Sequence, residues 1–207
     1  MSDDIPVANP APPLLVVLCG PSGVGKDAAL NELKKLDRPW HFVVTATTRP
    51  QRPGEQEGVD YIFLDSDTFQ RMRTRDEFLE CAEVYGRWYG VPRSQVRAGL
   101  KAGKDVILKV DVQGAATVRN LAPEALSIFL VPGSFQELEH RLAQRMTETP
   151  QDMELRLQVA RKELEQVHHF DYRVVNRDNC LDQAIRDIDA IIAAEKCRVV
   201  PRVVQML

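Results

Sequence analysis

A glycine-rich segment ending in a lysine and an aspartate follows the first apolar run of the chain, residues 14–19. Its sequence is Gly20-Pro21-Ser22-Gly23-Val24-Gly25-Lys26-Asp27. Glycines let the backbone adopt conformations in which successive N–H groups converge on a phosphate chain. A helix predicted over residues 26–36 adds the partial positive charge of its N-terminus, and Lys26 adds a full charge. We therefore predict that residues 20–27 bind phosphate groups.

Asp27 departs from the phosphate-binding pattern G-x-x-x-x-G-K, in which the next residue is Ser or Thr and holds magnesium. A carboxylate can also ligate a hard cation through its oxygens. The same carboxylate would repel the bound phosphates if no cation lay beside it. Two interpretations therefore stay open. Asp27 either takes part in a magnesium site or impairs the enzyme.

Length and composition predict a globular enzyme. The chain has 207 residues, 44% of them hydrophobic, which is enough for one sizeable α/β domain. A net charge of −3 lacks the basic excess of a nucleic-acid binder. No apolar run approaches the roughly 18 residues of a membrane span, and the acidic, Pro-rich start is unlike a signal peptide. Four cysteines without metal-ligand spacing indicate reduced, mostly buried thiols, and we expect a cytoplasmic protein.

Short apolar runs that alternate with helical patterns give the fold class. The runs are residues 42–44, 61–64, 106–110, 127–131 and 172–175. Helical stripes cover Met153 to Val167 and Leu181 to Ile192. This alternation predicts an α/β fold with a mostly parallel sheet flanked by helices. Ligands of such sheets bind at the carboxyl ends of the strands, where residues 20–27 lie.

The domain boundaries follow from breaks in this rhythm. We expect a disordered tail at 1–13, one domain at 14–196 and a C-terminal tail at 197–207, which is either an extra strand or an oligomer contact. Within the domain the prediction is a core at 14–45 and 94–196, an inserted sub-domain at about 46–93, and a mobile lid at about 145–152.

Several separate motifs, in order along the chain, resemble the guanylate kinase family of P-loop nucleoside monophosphate kinases. The resemblance covers residues 14–192, nearly the whole chain. Besides the glycine-rich loop, its motifs are Thr47-Thr48-Arg49-Pro50-Gln51-Arg52-Pro53-Gly54-Glu55, Gly58-Val59-Asp60-Tyr61, Phe78-Leu79-Glu80, Tyr89-Gly90, Val110-Asp111-Val112-Gln113-Gly114 and Phe170-Asp171-Tyr172-Arg173-Val174-Val175-Asn176. The resemblance implies a P-loop NTPase core, a GMP-binding insertion, and transfer of a phosphoryl group from ATP to GMP or dGMP with Mg²⁺.

The acceptor phosphate needs convergent donors. Arg49 and Arg52 can offer planar guanidinium groups that bind a phosphate through two hydrogen bonds each. The alternative is a solvated surface pair. The resemblance implies that the hydroxyls of Tyr61 and Tyr89 also reach the GMP phosphate, with Thr45 nearby.

Guanine presents two adjacent donors, N1–H and the exocyclic amine, which one ionised carboxylate can accept side by side. Glu80 resembles the guanine-reading glutamate of the family, and Asp111 matches its second acidic contact. Either acid could instead be a surface charge or a helix cap.

Phosphoryl transfer needs alignment and neutralisation of charge rather than covalent help. Lys26 should bridge the donor and transferred phosphates. The resemblance implies that Arg141, Arg145 and Arg156 close over the donor as catalytic lid arginines, and that Asn176 helps to seat the base or ribose of ATP. As residues of amphipathic helices, the three arginines could also be ordinary surface residues.

Two further residues depart from the family's pattern. Lys109 stands where the family usually has an acid, and Val91 replaces a Ser or Thr that contacts the guanine. We expect the strand of Lys109 to neighbour the first strand, so that Lys109 and Asp27 amount to a charge swap.

The predicted function is that of an ATP:GMP phosphotransferase of purine metabolism, a monomer or homodimer that binds no nucleic acid or membrane. Two alternatives remain: a catalytically weak or inactive guanylate-kinase-like binding module, and a kinase for another nucleoside monophosphate, which Val91 would favour.

Overall fold

A parallel sheet and a smaller mixed sheet organise the protein, in a computed structural model that describes residues 11–84, 86–143 and 150–205. The strands are β1 (Leu15–Cys19), β2 (Trp40–Phe42), β3 (Ala46–Thr47), β4 (Ile62–Phe63), β5 (Phe78–Val84), β6 (Arg87–Pro92), β7 (Asp105–Lys109), β8 (Leu126–Pro132) and β9 (Tyr172–Asn176). The helices are α1 (Lys26–Leu33), α2 (Ser66–Thr74), α3 (Arg93–Lys101), α4 (Val112–Leu121), α5 (Phe135–Ala143), α6 (Pro150–Leu164) and α7 (Leu181–Glu195), with a 3-10 helix at Glu165–His169.

The larger sheet has the strand order β2-β7-β1-β8-β9, and every neighbouring pair is parallel. The predicted α/β class is therefore confirmed. Strand β1 lies at the centre, with Leu18 opposite Lys109 of β7. Strand β2 lies on one side of β1, beyond β7, and β8 lies on the other side. The chain thus changes direction across the sheet at β1, and the loop after β1 opens where ligands of such sheets bind.

Alternating side chains of β1 build a core on each face of this sheet. Val16 and Leu18 pack with the helices on one face, whereas Leu15, Val17 and Cys19 pack on the other. All five are at most 2% exposed. A strand buried on both faces is a continuous apolar run, which explains why β1 could be found from the sequence.

The second sheet has the order β4-β3-β6-β5 and is mixed, with β3 antiparallel to β6 and parallel to β4. It occupies 46–92, within the range predicted for an inserted sub-domain. Phe69 of α2 stacks on Phe78 of β5, with ring centroids 4.5 Å apart, and gives this part its own small core. The side chain of Asp65 caps α2 by accepting from the Thr68 amide at 2.7 Å.

The structure corrects several predicted boundaries. Helix α1 ends at Leu33 rather than at residue 36. The apolar run predicted at 42–44 belongs to a strand that ends at Phe42, because the amide of Val44 donates to the Gln95 side chain instead of to a neighbouring strand. The last three residues of the predicted lid belong to α6, and residues 144–149 lie outside the described residues. The rest of the sub-domain scheme stays a prediction.

The chain ends and the cysteines also differ from expectation. Residues 1–10 lie outside the described part, but the Pro12 carbonyl accepts a hydrogen bond from Lys196 at 2.9 Å. Residues 198–205 form no strand, and Arg202 binds Glu195 at 2.7 Å. Cys19 is buried, whereas Cys180 and Cys197 are exposed, so the prediction of mostly buried thiols is wrong for these two. Among the described helices, none is long and apolar enough to cross a membrane.

Candidate active site

A cavity of about 290 Å³ lies between the end of the parallel sheet and the mixed sheet. It brings together most of the site residues predicted from the sequence. These are Pro21, Ser22, Gly23, Gly25, Lys26, Asp27, Thr45, Arg49, Arg52, Tyr61, Glu80, Tyr89, Asp111 and Arg156. Lys109 and Glu163, which the sequence did not assign to the site, line the same cavity.

Three glycines give the loop after β1 its shape. Gly20, Gly23 and Gly25 have φ of 146°, 84° and 98°, a region that residues with a Cβ rarely adopt. Gly25 is also the N-cap of α1, and a Cβ there would lie 2.6 Å from the Asn176 amide nitrogen. The loop therefore leads straight into the N-terminus of α1, which is the arrangement that binds phosphate.

The ammonium of Lys26 is turned onto its own loop, where it donates to the carbonyls of Gly20 and Pro21. These carbonyl bonds keep the charge at the mouth of the loop. A phosphate chain carried by the loop would lie beside this charge and accept hydrogen bonds from it in place of the carbonyls.

Helix α6 contacts the loop at Ser22 in two ways. Arg156 donates to Ser22 Oγ at 2.9 Å, and the Ser22 amide donates to Glu163 Oε2 at 3.2 Å. Burial raises the pKa of Glu163, against the influence of the nearby Lys26. A carboxylate thus lies on a backbone amide of the phosphate loop. The spacing of seven residues, two helical turns, was the signal that could have placed Glu163 beside Arg156.

Glu80 of β5 is a buried carboxylate in the lining of the cavity. Its residue is 6% exposed, and within the described residues its Oε2 has no hydrogen-bond partner. Burial raises its pKa to about 8, and the negative charge of Asp111 adds to this. Gly114 of α4 approaches closely, since a Cβ there would lie 2.6 Å from Oε2. An unpaired buried acceptor of this kind calls for a ligand that donates hydrogen bonds.

Asp111 both lines the cavity and caps α4, because its Oδ1 accepts from the Gly114 amide at 2.7 Å. The capping role considered from the sequence is therefore real. It uses one carboxylate oxygen and holds the side chain next to Glu80.

Arg49 is held beside two tyrosines by Glu55, which the sequence analysis did not assign to the site. Arg49 donates to Glu55 Oε1 at 2.7 Å, while Glu55 Oε2 accepts from the Arg52 amide at 2.8 Å. The guanidinium carbon lies 5.2 Å from the centroid of the Tyr61 ring. The rings of Tyr61 and Tyr89 are 6.1 Å apart, edge to face. Guanidinium and phenol donors therefore converge on one wall.

Lys109 joins the two walls of the cavity. Its ammonium donates to Asp27 Oδ1 in the first turn of α1 and to the Tyr61 hydroxyl at 2.8 Å. Burial lowers the pKa of Lys109, but the charge of Asp27 and the Tyr61 hydroxyl more than offset this, so that the pKa is raised. The predicted proximity of Lys109 and Asp27 is confirmed.

Two predicted residues lie on the other side of the loop, outside the cavity. The Asn176 amide is 5% exposed and donates to the Val24 carbonyl at 2.8 Å. Arg141 donates to the same carbonyl at 3.2 Å and to Asp178 at 2.7 Å. Val24 itself is buried in the core, so it contributes only its backbone. These residues hold the loop in place.

Arg145 lies outside the described residues. Val91 is fully buried in the core beside β5, and its side chain does not line the cavity.

The side chains fit a magnesium ion that arrives with a nucleotide. Within the described residues, no three His, Cys, Asp or Glu side chains cluster as a metal site. Asp27, whose side chain is 65% exposed, offers carboxylate oxygens beside the loop. Because Mg²⁺ is commonly bound by one or two carboxylates together with waters and substrate phosphates, one such residue suffices.

The family model and similar curated proteins point to the same family. Residues 13–195 match the family model described as guanylate kinase. A guanylate kinase of rice chloroplasts or mitochondria (Oryza sativa subsp. japonica) is 45% identical over 97% of this chain and 71% of its own length. The guanylate kinase of Clostridium perfringens strain SM101 is 44% identical over 90% of this chain and 85% of its own.

A solved structure agrees. The guanylate kinase of Anaplasma phagocytophilum superposes with a TM-score of 0.77 at 31% identity, covering 91% of this chain and 89% of the other.

Proposed function

The chain belongs to the guanylate kinase family, and from this premise we propose how its residues divide the transfer of the terminal phosphoryl group of ATP to GMP. The protein is an ATP:GMP phosphotransferase, which forms ADP and GDP; dGMP differs only in its sugar and should serve as well. The observation that carries the proposal is the cavity itself. Its lining holds both a phosphate loop and the buried Glu80 carboxylate, whose Oε2 has no hydrogen-bond partner among the described residues.

At the donor end, the backbone amides of residues 20–27 and the N-terminus of α1 hold the phosphates of ATP. Lys26 leaves the carbonyls of Gly20 and Pro21 and follows the transferred phosphoryl group. Arg156, already on Ser22, neutralises the charge of the transition state, and Arg145 and Arg141 assist from the lid and from α5. Asn176 supports the loop and the nucleoside of ATP. Closing these cations over the donor stabilises charge that is spread over the equatorial oxygens.

At the acceptor end, Arg49, Arg52, Tyr61 and Tyr89 bind the phosphate of GMP, with Thr45 beside them. These side chains surround the space between Glu80 and the loop, so a phosphate bound there faces the donor. The positioning lowers the entropy cost of bringing two anionic substrates together.

Glu80 selects guanine. Its ionised carboxylate accepts from N1–H and from the exocyclic amine, and Asp111 lies close enough to add an acceptor. Adenine turns a ring lone pair toward the carboxylate, so the ionised form of Glu80 would face an acceptor rather than a donor. Leaving a buried polar group without its partner is the strongest route to rejection of a wrong substrate.

Magnesium, when bound with ATP, neutralises and aligns the phosphates. Asp27 is the residue proposed to hold it, directly or through water. Lys109 offsets the charge of this carboxylate. A single chain carries the donor and acceptor ends of the cavity, which supports a protein that works as a monomer or a homodimer.

The proposal is tested by measuring GDP formation from ATP and GMP in the purified protein. Wild type should turn over, and Lys26→Met should lower kcat by about 10³-fold or more while keeping the fold. A folded wild-type protein that binds GMP but forms no GDP would support the alternative of a non-catalytic binding module.

A further inference from the structure

Lys109 lies where the donor and acceptor ends of the cavity meet, and nothing in the reaction scheme above uses it beyond balancing Asp27. It is the last residue of β7, next to the central strand. Its side chain is only 11% exposed, although it ends in a charge. A buried ammonium is retained only where its partners and its task compensate for the lost water.

The partners of Lys109 come from two different elements. Asp27 belongs to the first turn of α1, on the donor side, and Tyr61 precedes β4, on the acceptor side. The ammonium donates to both, and it also lies 4.2 Å from the centroid of the Tyr61 ring. One cation thus joins the phosphate loop to the wall that receives the monophosphate.

The hydrogen bond to Tyr61 has a direction. An ammonium has no lone pair, so the phenol oxygen must accept from Lys109. The hydroxyl proton of Tyr61 is then free to donate elsewhere, and Tyr61 lines the cavity. A phenol that accepts from a cation is also a stronger donor, because chains of hydrogen bonds polarise one another.

We propose that Lys109 is a positioning residue for the acceptor phosphate. Held by Asp27, it turns the Tyr61 hydroxyl into a fixed donor toward the phosphate of the nucleoside monophosphate, and it adds a positive charge between the two phosphate sites. Asp27 therefore serves the acceptor site through Lys109, in addition to any contact with a metal. The inference rests on the proposed function, since it takes GMP as the ligand of this wall.

The test is a double-mutant cycle on GMP binding, measured by calorimetry without ATP or magnesium. Lys109→Met should raise the dissociation constant of GMP about 10-fold or more, the effect of losing a charge-assisted hydrogen bond. Tyr61→Phe should weaken binding to a similar degree. In the double variant the two effects should not add, because Lys109 acts through Tyr61.

Matched variants test whether Lys109 positions the acceptor phosphate or only stabilises the fold. Lys109→Arg keeps the cation, and its dissociation constant for GMP should stay within about threefold of wild type. Lys104→Met removes an exposed lysine one residue before β7 and should leave this constant unchanged. In turnover, Lys109→Met should raise KM for GMP more than KM for ATP. If Lys109→Met fails to fold, Asp27→Asn replaces it in the cycle, and a several-fold loss of GMP affinity is expected because Lys109 loses its anchor.

If the dissociation constant of GMP changes less than threefold in Lys109→Met, or in Asp27→Asn in its place, the proposal is overturned. Effects of Lys109 and Tyr61 that simply add also overturn it. These outcomes differ from a failure of the proposed function, in which wild type itself would neither bind nor phosphorylate GMP.

Discussion

At the scale of single residues, the proposed contact of Glu80 with guanine would make GMP binding depend on pH. The pKa of Glu80 is raised to about 8 by burial and by Asp111, so the free protein holds the protonated form at neutral pH. The two donors of guanine need the ionised form. Binding therefore releases a proton, and affinity must rise as pH rises through the pKa.

We predict that the association constant for GMP increases roughly 20-fold between about pH 6.5 and about pH 8.5. Calorimetry across this range measures both the affinity and the proton released. Glu80→Gln should bind GMP more weakly, by about 1.5–3 kcal/mol, and should lose this pH dependence, with little effect on ATP. A pH profile that is the same in wild type and Glu80→Gln would show that Glu80 is already ionised or does not read the base.

Asp27 is the second residue whose role decides the chemistry. Its carboxylate lies beside the phosphate loop and is paired with Lys109. Removing it leaves the Lys109 ammonium without its anionic partner and, in the proposed metal site, takes away an oxygen ligand.

We therefore predict that Asp27→Ser is neutral or harmful to kcat and shifts the magnesium concentration needed for half-maximal activity. Magnesium titrations at fixed ATP measure this shift. If Asp27 is only an obstacle to ATP, the substitution will instead raise kcat and tighten ATP binding markedly, and the metal-site proposal will be wrong.

At the scale of elements, α6 connects the lid region to the phosphate loop. Arg156 and Glu163 lie on one side of the helix and contact Ser22 through its hydroxyl and its amide. A movement of α6 must therefore change the charge that surrounds the loop.

We predict that Arg156→Met and Arg145→Met each lower kcat by about 10³–10⁵, because each removes a positive charge that stabilises the transition state. The unfolding midpoint of Arg156→Met should stay close to wild type, because Arg156 lines the cavity rather than the core. Arg161→Met, on the same helix but outside the cavity, is the matched control. An unchanged kcat in either variant would remove that arginine from the catalytic set.

Elements buried on both faces were the easiest to predict. The apolar runs of β1, β7 and β8 mark strands in any parallel sheet, and the glycine-rich loop has few alternative explanations. Residues that act through tertiary contacts gave only a weak local signal, such as the seven-residue spacing of Arg156 and Glu163. Glu163 is one of several acids on α6, and only the folded chain shows that it lies on the Ser22 amide. Arg141 and Asn176 were assigned by resemblance, and the structure places them on the Val24 carbonyl, outside the cavity.

At the scale of the whole molecule, Asp105 of β7 binds residues near both ends of the described chain. Its side chain is 5% exposed and accepts from the Leu14 amide and from Lys196, both at 2.7 Å. Lys196 also donates to the Pro12 carbonyl. One buried carboxylate therefore joins the start of β1 to the end of α7.

We predict that Asp105→Ala lowers the free energy of unfolding by about 2–4 kcal/mol, since it leaves a buried amide unsatisfied and breaks a largely buried ion pair. Urea denaturation measures the loss. Asp189→Ala, which removes an exposed ion pair with Arg38, should leave the midpoint nearly unchanged. Equal effects of the two substitutions would show that the Asp105 contacts do not stabilise the fold.

The central claim is that this cavity transfers a phosphoryl group from ATP to a guanine monophosphate and to no other nucleoside monophosphate. Comparison of kcat/KM for GMP, AMP, CMP and UMP, with ATP as the donor, tests it most directly. The account predicts that GMP is preferred by at least about 10³-fold, because only guanine satisfies the buried Glu80 with two donors. Phosphorylation of AMP or UMP at a rate comparable with GMP would contradict it.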